Sequence, residues 1–282
     1  MTKDELVDRI LEAKVLSEID ELYYYTTLDT FVNGIIRKGE FVLWAGHVGY
    51  MEDKQEFEKG LNIVKSIDVL DPAVALNIGS AKNRFPYQLS LSMAKDCYPM
   101  WHIYGKGMLS VMIILDAELL KSNLKDRYAR LGECIYEGTE EGRLAEQFVE
   151  DLTNIDKHSG LPNNHKYNEF ISLFPYLYKD SQYNYEREVR IFNSVMDDDA
   201  EHMRFKRVGN VVKPFKEMSF RPEVLKGIML APCSEEVYRM NAVSLNMMLR
   251  INGFNHVHLV YPDDILQMSR NCILKSGITI RG

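Results

Sequence analysis

Residues 107–115, GMLSVMIIL, constrain the fold more than any other segment. They form the most hydrophobic strand-length run in the chain, and such a run lies mid-sheet with both faces covered. A covered central strand needs neighbours, and the sequence supplies candidates. LYYYT (22–26) is short and aromatic, EFVLW (40–44) is apolar, and YQLSLSM (87–93) alternates with period two; each predicts a strand. YNYEREVRIF (183–192), LKGIMLAP (225–232), VHLVY (257–261) and GITIR (277–281) predict later strands.

Helices are predicted between them. Leu6, Ile10, Ala13 and Leu16 make one stripe of an amphipathic helix over 4–19. Thr27 or Asp29 can cap a short helix whose apolar face is Leu28, Phe31, Ile35 and Ile36, ended by Lys38-Gly39. Further helices are expected over 53–67 and over 234–252, the latter closing at Asn252-Gly253. Residues 117–180 are helix-biased, with a charge-rich stretch (EEGRLAEQFVEDL) and an Asn-rich turn at Leu161-Pro162-Asn163-Asn164. They predict a mostly helical insertion between sheet elements. The mixed order of strands and helices predicts one α+β domain over 1–282.

Composition bounds the function. Of 282 residues, 46 % are hydrophobic and 27 % charged, which excludes disorder as the main theme. No run approaches the roughly 18 apolar residues of a spanning helix. The N-terminal MTKDELVDRILEAKVLSEID has acids in its first turns and no apolar core of a signal peptide, so a cytoplasmic protein without a membrane partner is expected. With 34 Lys and Arg against 41 Asp and Glu, the net charge is −7 and the pI near 5.6. That disfavours a general grip on nucleic acid, while a local basic groove stays open. Cys97, Cys134, Cys233 and Cys272 lie far apart without C-x-x-C spacing, and are expected to be reduced structural thiols.

No phosphate loop, H-E-x-x-H, G-x-S-x-G or dinucleotide glycine fingerprint is present. His256 and His258 form H-x-H, but two ligands without a third make packed or solvated histidines the better expectation, and no metal is predicted. The sharpest local feature is Tyr185-Glu186-Arg187-Glu188-Val189-Arg190. On a strand, Glu186, Glu188 and Arg190 would face one way and Tyr185, Arg187 and Val189 the other. This is either a solvated face with an internal ion pair, worth at most about 1 kcal/mol, or a functional carboxylate pair. Strands disfavour Glu, which keeps the second alternative in play. In Met100-Trp101-His102-Ile103-Tyr104-Gly105-Lys106-Gly107, Trp101 reads as a core anchor, whereas Tyr104 beside the glycine turn suits core or ligand equally. In the first strand, Tyr24 and Thr26 share one face and Tyr23, Tyr25 and Thr27 the other.

These features stand in the order of a large bacterial family, domain of unknown function 2971. LYYYTTLDTFVNGIIRKGEFVLW resembles its tyrosine-rich first strand and helix. LSLSMAKDCYPMWHIYGKGMLSVMIILD (89–116) resembles its Met-Trp-x-x-Tyr segment, YEREVRIF its Tyr-Glu-x-Glu-x-Arg strand, and VLKGIMLAP and SGITIRG its last signatures. The resemblance covers nearly the whole chain outside the helical insertion. More loosely, the opening strand, helix and strand are similar to the N-terminal unit of ADP-ribosyltransferases and RNA 2′-phosphotransferases, although Tyr24 stands where His or Arg is usual.

That second resemblance implies mixed sheets of the ADP-ribosyltransferase type and a chemistry. NAD would be the substrate, and Glu188 the catalytic carboxylate on the nicotinamide ribose. Glu186 would be its acceptor-side partner, Tyr24, Thr26 and Tyr104 would contact NAD, and Arg190 would order the carboxylates. Cleaving the nicotinamide–ribose bond develops oxocarbenium charge, which a carboxylate in a dry cleft stabilises. The expected function is an ADP-ribosyltransferase-like toxin or phage-defence effector acting on an unidentified protein or nucleic-acid acceptor, with a possible defence-system partner protein. The alternative is a non-catalytic binding or regulatory module of a defence system with the same fold. A nuclease or hydrolase ranks behind both. On the catalytic expectation, Glu188→Gln should lower NAD consumption by about two to three orders of magnitude and leave folding little changed.

Overall fold

The computed structural model describes residues 1–11, 18–50, 54–65, 87–105, 109–125, 129–153, 165–193, 203–259 and 274–275. The fold class is α+β. The chain divides into two compact units. The first comprises residues 1–18, 45–90 and 128–216, and the second residues 19–44, 91–127 and 217–282. The GITIR strand, the Asn-rich turn and the 68–86 stretch lie outside the described residues, as do parts of the 4–19 helix and the VHLVY strand.

The second unit contains the predicted central strand. Ser110–Asp116 pairs antiparallel with Glu21–Thr27 on one side (Tyr23 opposite Ile114) and with Leu225–Leu230 on the other (Ile228 opposite Ile113). Val111 through Leu115 are all buried, as a continuous apolar run between two neighbours requires. Leu225–Leu230 pairs in parallel with His258–Leu259 and with Leu274–Lys275. Thr27 is the cap that the sequence suggested, its hydroxyl accepting from the Thr30 amide. The helix it opens continues only as a π-helical turn, Phe31–Ile35, so Ile36 is already in a strand. Gly39, at φ +69°, turns that strand into Glu40–His47.

Met100-Trp101-His102-Ile103-Tyr104 is helical, within Tyr98–Gly105. Trp101 is buried, as expected. Its ring meets Tyr25 edge-on at 5.0 Å, and its indole N–H donates to Asp96 Oδ1 at 2.9 Å. Gly105 lies where the helix closes on the central strand, and an added Cβ would stand 2.0 Å from Ser110 Oγ.

The first unit has a helical core. Helices Lys3–Leu11, Lys54–Lys65, Glu140–Thr153 and His165–Leu177 bury Leu6, Ile10, Val64, Phe148, Phe170 and Phe174. Gly60 permits a close approach there, since a Cβ would meet Pro175 Cα at 2.8 Å. The helical reading of 117–180 locates Ala117–Lys125, Glu140–Thr153 and His165–Leu177, but strands Ala129–Glu133, Ile135–Tyr136 and Tyr178–Lys179 also stand in this stretch. Ala129–Glu133 pairs antiparallel with Glu188–Asn193, and Ile135–Tyr136 in parallel with Tyr178–Lys179. The stretch therefore supplies sheet partners as well as helices.

Candidate functional site

The two carboxylates of the Tyr-Glu-x-Glu-x-Arg motif are buried together in the first unit, though not by the geometry that period two implies. Residues Ser181–Glu186 form a 3-10 helix, started by the Asp180 carboxylate accepting from the Gln182 amide at 3.0 Å. Arg187 then adopts a left-handed conformation, φ 42°, and only at Glu188 does the strand begin. Glu186 is thus on a turn, and Tyr185 and Arg187 are not on a strand face. The Asp180-Ser181 capping signal competes with the strand pattern of 183–192 and wins over its first residues. From Glu188 onward the alternation holds, but both faces of the strand are covered: Val189, Ile191 and Phe192 are buried with Glu188 and Arg190.

What gathers the charges is Lys179, on the short strand Tyr178–Lys179. Its Nζ donates to Glu186 Oε2 at 2.8 Å and to Glu188 Oε2 at 2.6 Å. Arg190 grips Glu188 with two parallel bonds, Nε to Oε1 at 2.8 Å and Nη2 to Oε2 at 2.8 Å. Its Nη1 donates to the Tyr176 carbonyl. The Cys134 thiol lies 3.7 Å from Glu188 Oε2. The backbone of Glu188 is also held, its amide donating to the Tyr136 hydroxyl at 2.8 Å and its carbonyl accepting from the Cys134 amide at 2.9 Å. Lys179, Glu186, Glu188 and Arg190 are each 3–5 % exposed. Two cations balance two carboxylates, so the buried cluster is neutral.

The two carboxyls are pushed apart electrostatically. Burial alone would raise both. At Glu188 the charges and hydrogen bonds of Arg190 and Lys179 overcome burial and hold the carboxyl far below the usual range. At Glu186 burial prevails over Lys179, helped by repulsion from Glu188, and its carboxyl is raised. Burial also pushes the Tyr136 phenol up.

The other candidates belong to the second unit. Tyr24 and Thr26 share a face of Glu21–Thr27, opposite Ile113 and Val111 of the central strand. Thr26 is buried and Tyr24 half-buried, and desolvation pushes the Tyr24 phenol up to about 12. Tyr104 is half-buried in the last turn of Tyr98–Gly105. That helix packs through Trp101 on Tyr25, which faces away from Tyr24 and Thr26. The structure thus brings Glu186, Glu188 and Arg190 together around a lysine, and sets Tyr24 and Thr26 on the opposite strand face from the Tyr104 helix.

Lys179 and Tyr136 are absent from the sequence-based site. Lysine is ordinarily solvated. The available signal was its position directly after the apolar run ISLFPYLY. Cys134 is buried, as structural thiols are expected to be, whereas Cys97 and Cys233 are partly exposed. Among the described residues no cluster of three or more His, Cys, Asp or Glu could hold a metal, and no helix is long and apolar enough to cross a membrane.

No curated protein and no solved structure matches the chain. The family match falls on part of it and includes 117–180, a stretch outside the sequence resemblance. Residues 100–191, which carry Trp101, Tyr104 and all four members of the charged cluster, match the family described as Protein of unknown function (DUF2971).

Proposed function

We propose that the chain is a non-catalytic binding or regulatory module. The observation that carries this reading is the engagement of Glu188. A carboxylate that stabilises an oxocarbenium must offer an oxygen to the substrate ribose. Both Glu188 oxygens already accept from Arg190, one also from Lys179, and the side chain is almost wholly enclosed. Freeing it for a substrate would leave Arg190 and Lys179 underpaired in the interior, at a cost of about 3–5 kcal/mol. Glu188 is therefore a tether that joins its strand to Lys179.

NAD-dependent ADP-ribosyl transfer is the second reading, favoured by one observation. Glu186 is a buried carboxyl raised in pKa beside a carboxylate held low, and carboxyls pushed apart in this way recur at catalytic sites. On this reading Glu186 rather than Glu188 would face the substrate. The test is mass spectrometry of NAD incubated with the protein, with and without bacterial lysate, alongside calorimetric titration with NAD. The module reading expects neither turnover nor binding. Turnover that is lost in a folded Glu186→Gln variant would establish the transferase and overturn the module.

A further inference from the structure

The helix Glu235–Ile251 has two apolar faces. Tyr238, Ala242, Leu245 and Leu249 are buried. Val237, Met240, Val243, Met247 and Ile251 are 41–76 % exposed. Steps of three and four residues put these five on one stripe, opposite the buried side. Among the described residues, no element covers this row of aliphatic and methionine side chains, on a helix whose other face already fills a core.

We propose that this stripe is a self-association face, and that its occupant is the same helix of a second copy, packed antiparallel about a twofold axis near Ser244. Three observations converge on that occupant. First, the stripe is self-complementary in the antiparallel sense. A twofold beside Ser244 sets Val237 against Ile251 of the second copy and Met240 against Met247, while Val243 and the small Ser244 occupy the crossing. Second, the flanking charges match in the same register. Glu236 and Arg250 lie on one flank of the stripe, both exposed, and the twofold brings each Glu236 to Arg250 of the second copy. The acidic first turn and basic last turn meet at both ends, and the helix dipoles oppose favourably. A parallel pair would instead place like charges together. Third, the area suffices. The helix is about 25 Å long. The five side chains expose roughly 500 Å² per copy, so pairing removes at most about 1,000 Å², the size of a weak, reversible interface. A reversible dimer with a Kd on the order of 1–100 µM is expected at that size.

Sedimentation velocity of the full chain from about 1 to 300 µM spans that range. The wild type should pass from monomer to dimer. Met240→Glu should remain monomeric throughout, with an unchanged thermal melt because the position is exposed. Glu236→Lys and Arg250→Glu should each weaken association about 3–10-fold, the scale of two exposed ion pairs per dimer, and their combination should restore it. Ser244→Cys, beside the axis, should form a disulfide-linked dimer under mild oxidation that the wild type does not. A wild type monomeric at every concentration would overturn the proposal, whatever other protein covers the stripe. So would a dimer indifferent to Met240→Glu. Failure of the charge exchange to restore affinity would overturn the antiparallel register.

Discussion

Glu188→Gln separates a tethering carboxylate from a catalytic one through stability alone. The substitution keeps the size of the side chain and removes one negative charge. In the neutral cluster of Lys179, Glu186, Glu188 and Arg190 this leaves a net positive charge in the interior, and the paired bonds from Arg190 lose their ionic character. Breaking a buried ion pair on one side costs about 3–5 kcal/mol. At roughly 2–4 °C per kcal/mol for a chain of this size, the melting midpoint of the first unit should fall by about 6–20 °C. This reverses the expectation from sequence, in which the pocket carboxylate was dispensable for folding. The assay is thermal and urea denaturation followed by circular dichroism, with Lys179→Met combined with Glu188→Gln as the control. The double variant keeps one cation, Arg190, and one carboxylate, Glu186, so the cluster is balanced again and should recover part of the loss. A Glu188→Gln protein melting within about 1 kcal/mol of wild type, with no recovery in the double variant, would refute the tether.

The pH dependence follows from the same residue. The folded carboxyl of Glu188 is depressed, so its stabilisation is present above the ordinary carboxylate range near pH 4 and is lost as pH falls below it. The raised carboxyl of Glu186 acts in the opposite sense, favouring the fold at low pH and losing that contribution as pH rises through its folded value. Urea midpoints from pH 3 to 7 should therefore fall less steeply on the acid side for Glu188→Gln than for wild type. Trp101→Ala should destabilise the second unit by about 3–5 kcal/mol, read as a lowered urea midpoint. Gly60→Ala should cost about 1–3 kcal/mol, because its Cβ would press on the backbone of Pro175, and the same titration checks it. Under native conditions a thiol reagent should label Cys97 and Cys233 and spare Cys134 until urea unfolds the chain.

The elements most legible in sequence are those whose pattern leaves one physical solution. A continuous apolar run such as VMIIL has nowhere to go but between two strands. Ser234 before an amphipathic run and Gly253 after it mark a helix that the structure places at Glu235–Ile251, with the Ser234 hydroxyl accepting from the Val237 amide. Less legible are segments where two local rules compete. Residues 183–187 have a strand-like alternation but follow an Asp-Ser cap, and the cap decides. Ile36 completes a helical stripe, yet a π turn ends the helix before it. Least legible is Lys179, whose environment is set by strands and a turn that meet it only in three dimensions. Nothing local in Leu177-Tyr178-Lys179-Asp180 states that two glutamates and an arginine will close around the ammonium.

The Glu-x-Glu-x-Arg pattern carries less functional information than its spacing suggests. Two carboxylates and a guanidinium on alternating positions satisfy a catalytic site that needs a charge near a sugar, and equally a buried clamp that needs its charges balanced. The difference lies in the second cation. With Arg190 alone, one of the two glutamates would remain to meet a ligand, and the cluster would be acidic. With Lys179 present, the charges cancel and Glu188 accepts from both cations. A buried neutral cluster of this kind contributes little net stability over a well-packed apolar one, but losing any single member is costly. Its bonds tie together the Tyr178–Lys179 strand, the 3-10 turn and the Glu188–Asn193 strand, which suits a clamp. If that is its role, Lys179→Met should destabilise as much as Glu188→Gln, although Lys179 lies outside the Glu-x-Glu-x-Arg motif. Denaturation of the two variants side by side decides the point: a large loss for Glu188→Gln with a negligible one for Lys179→Met would mean that the motif works without its lysine, and the clamp would have to be abandoned.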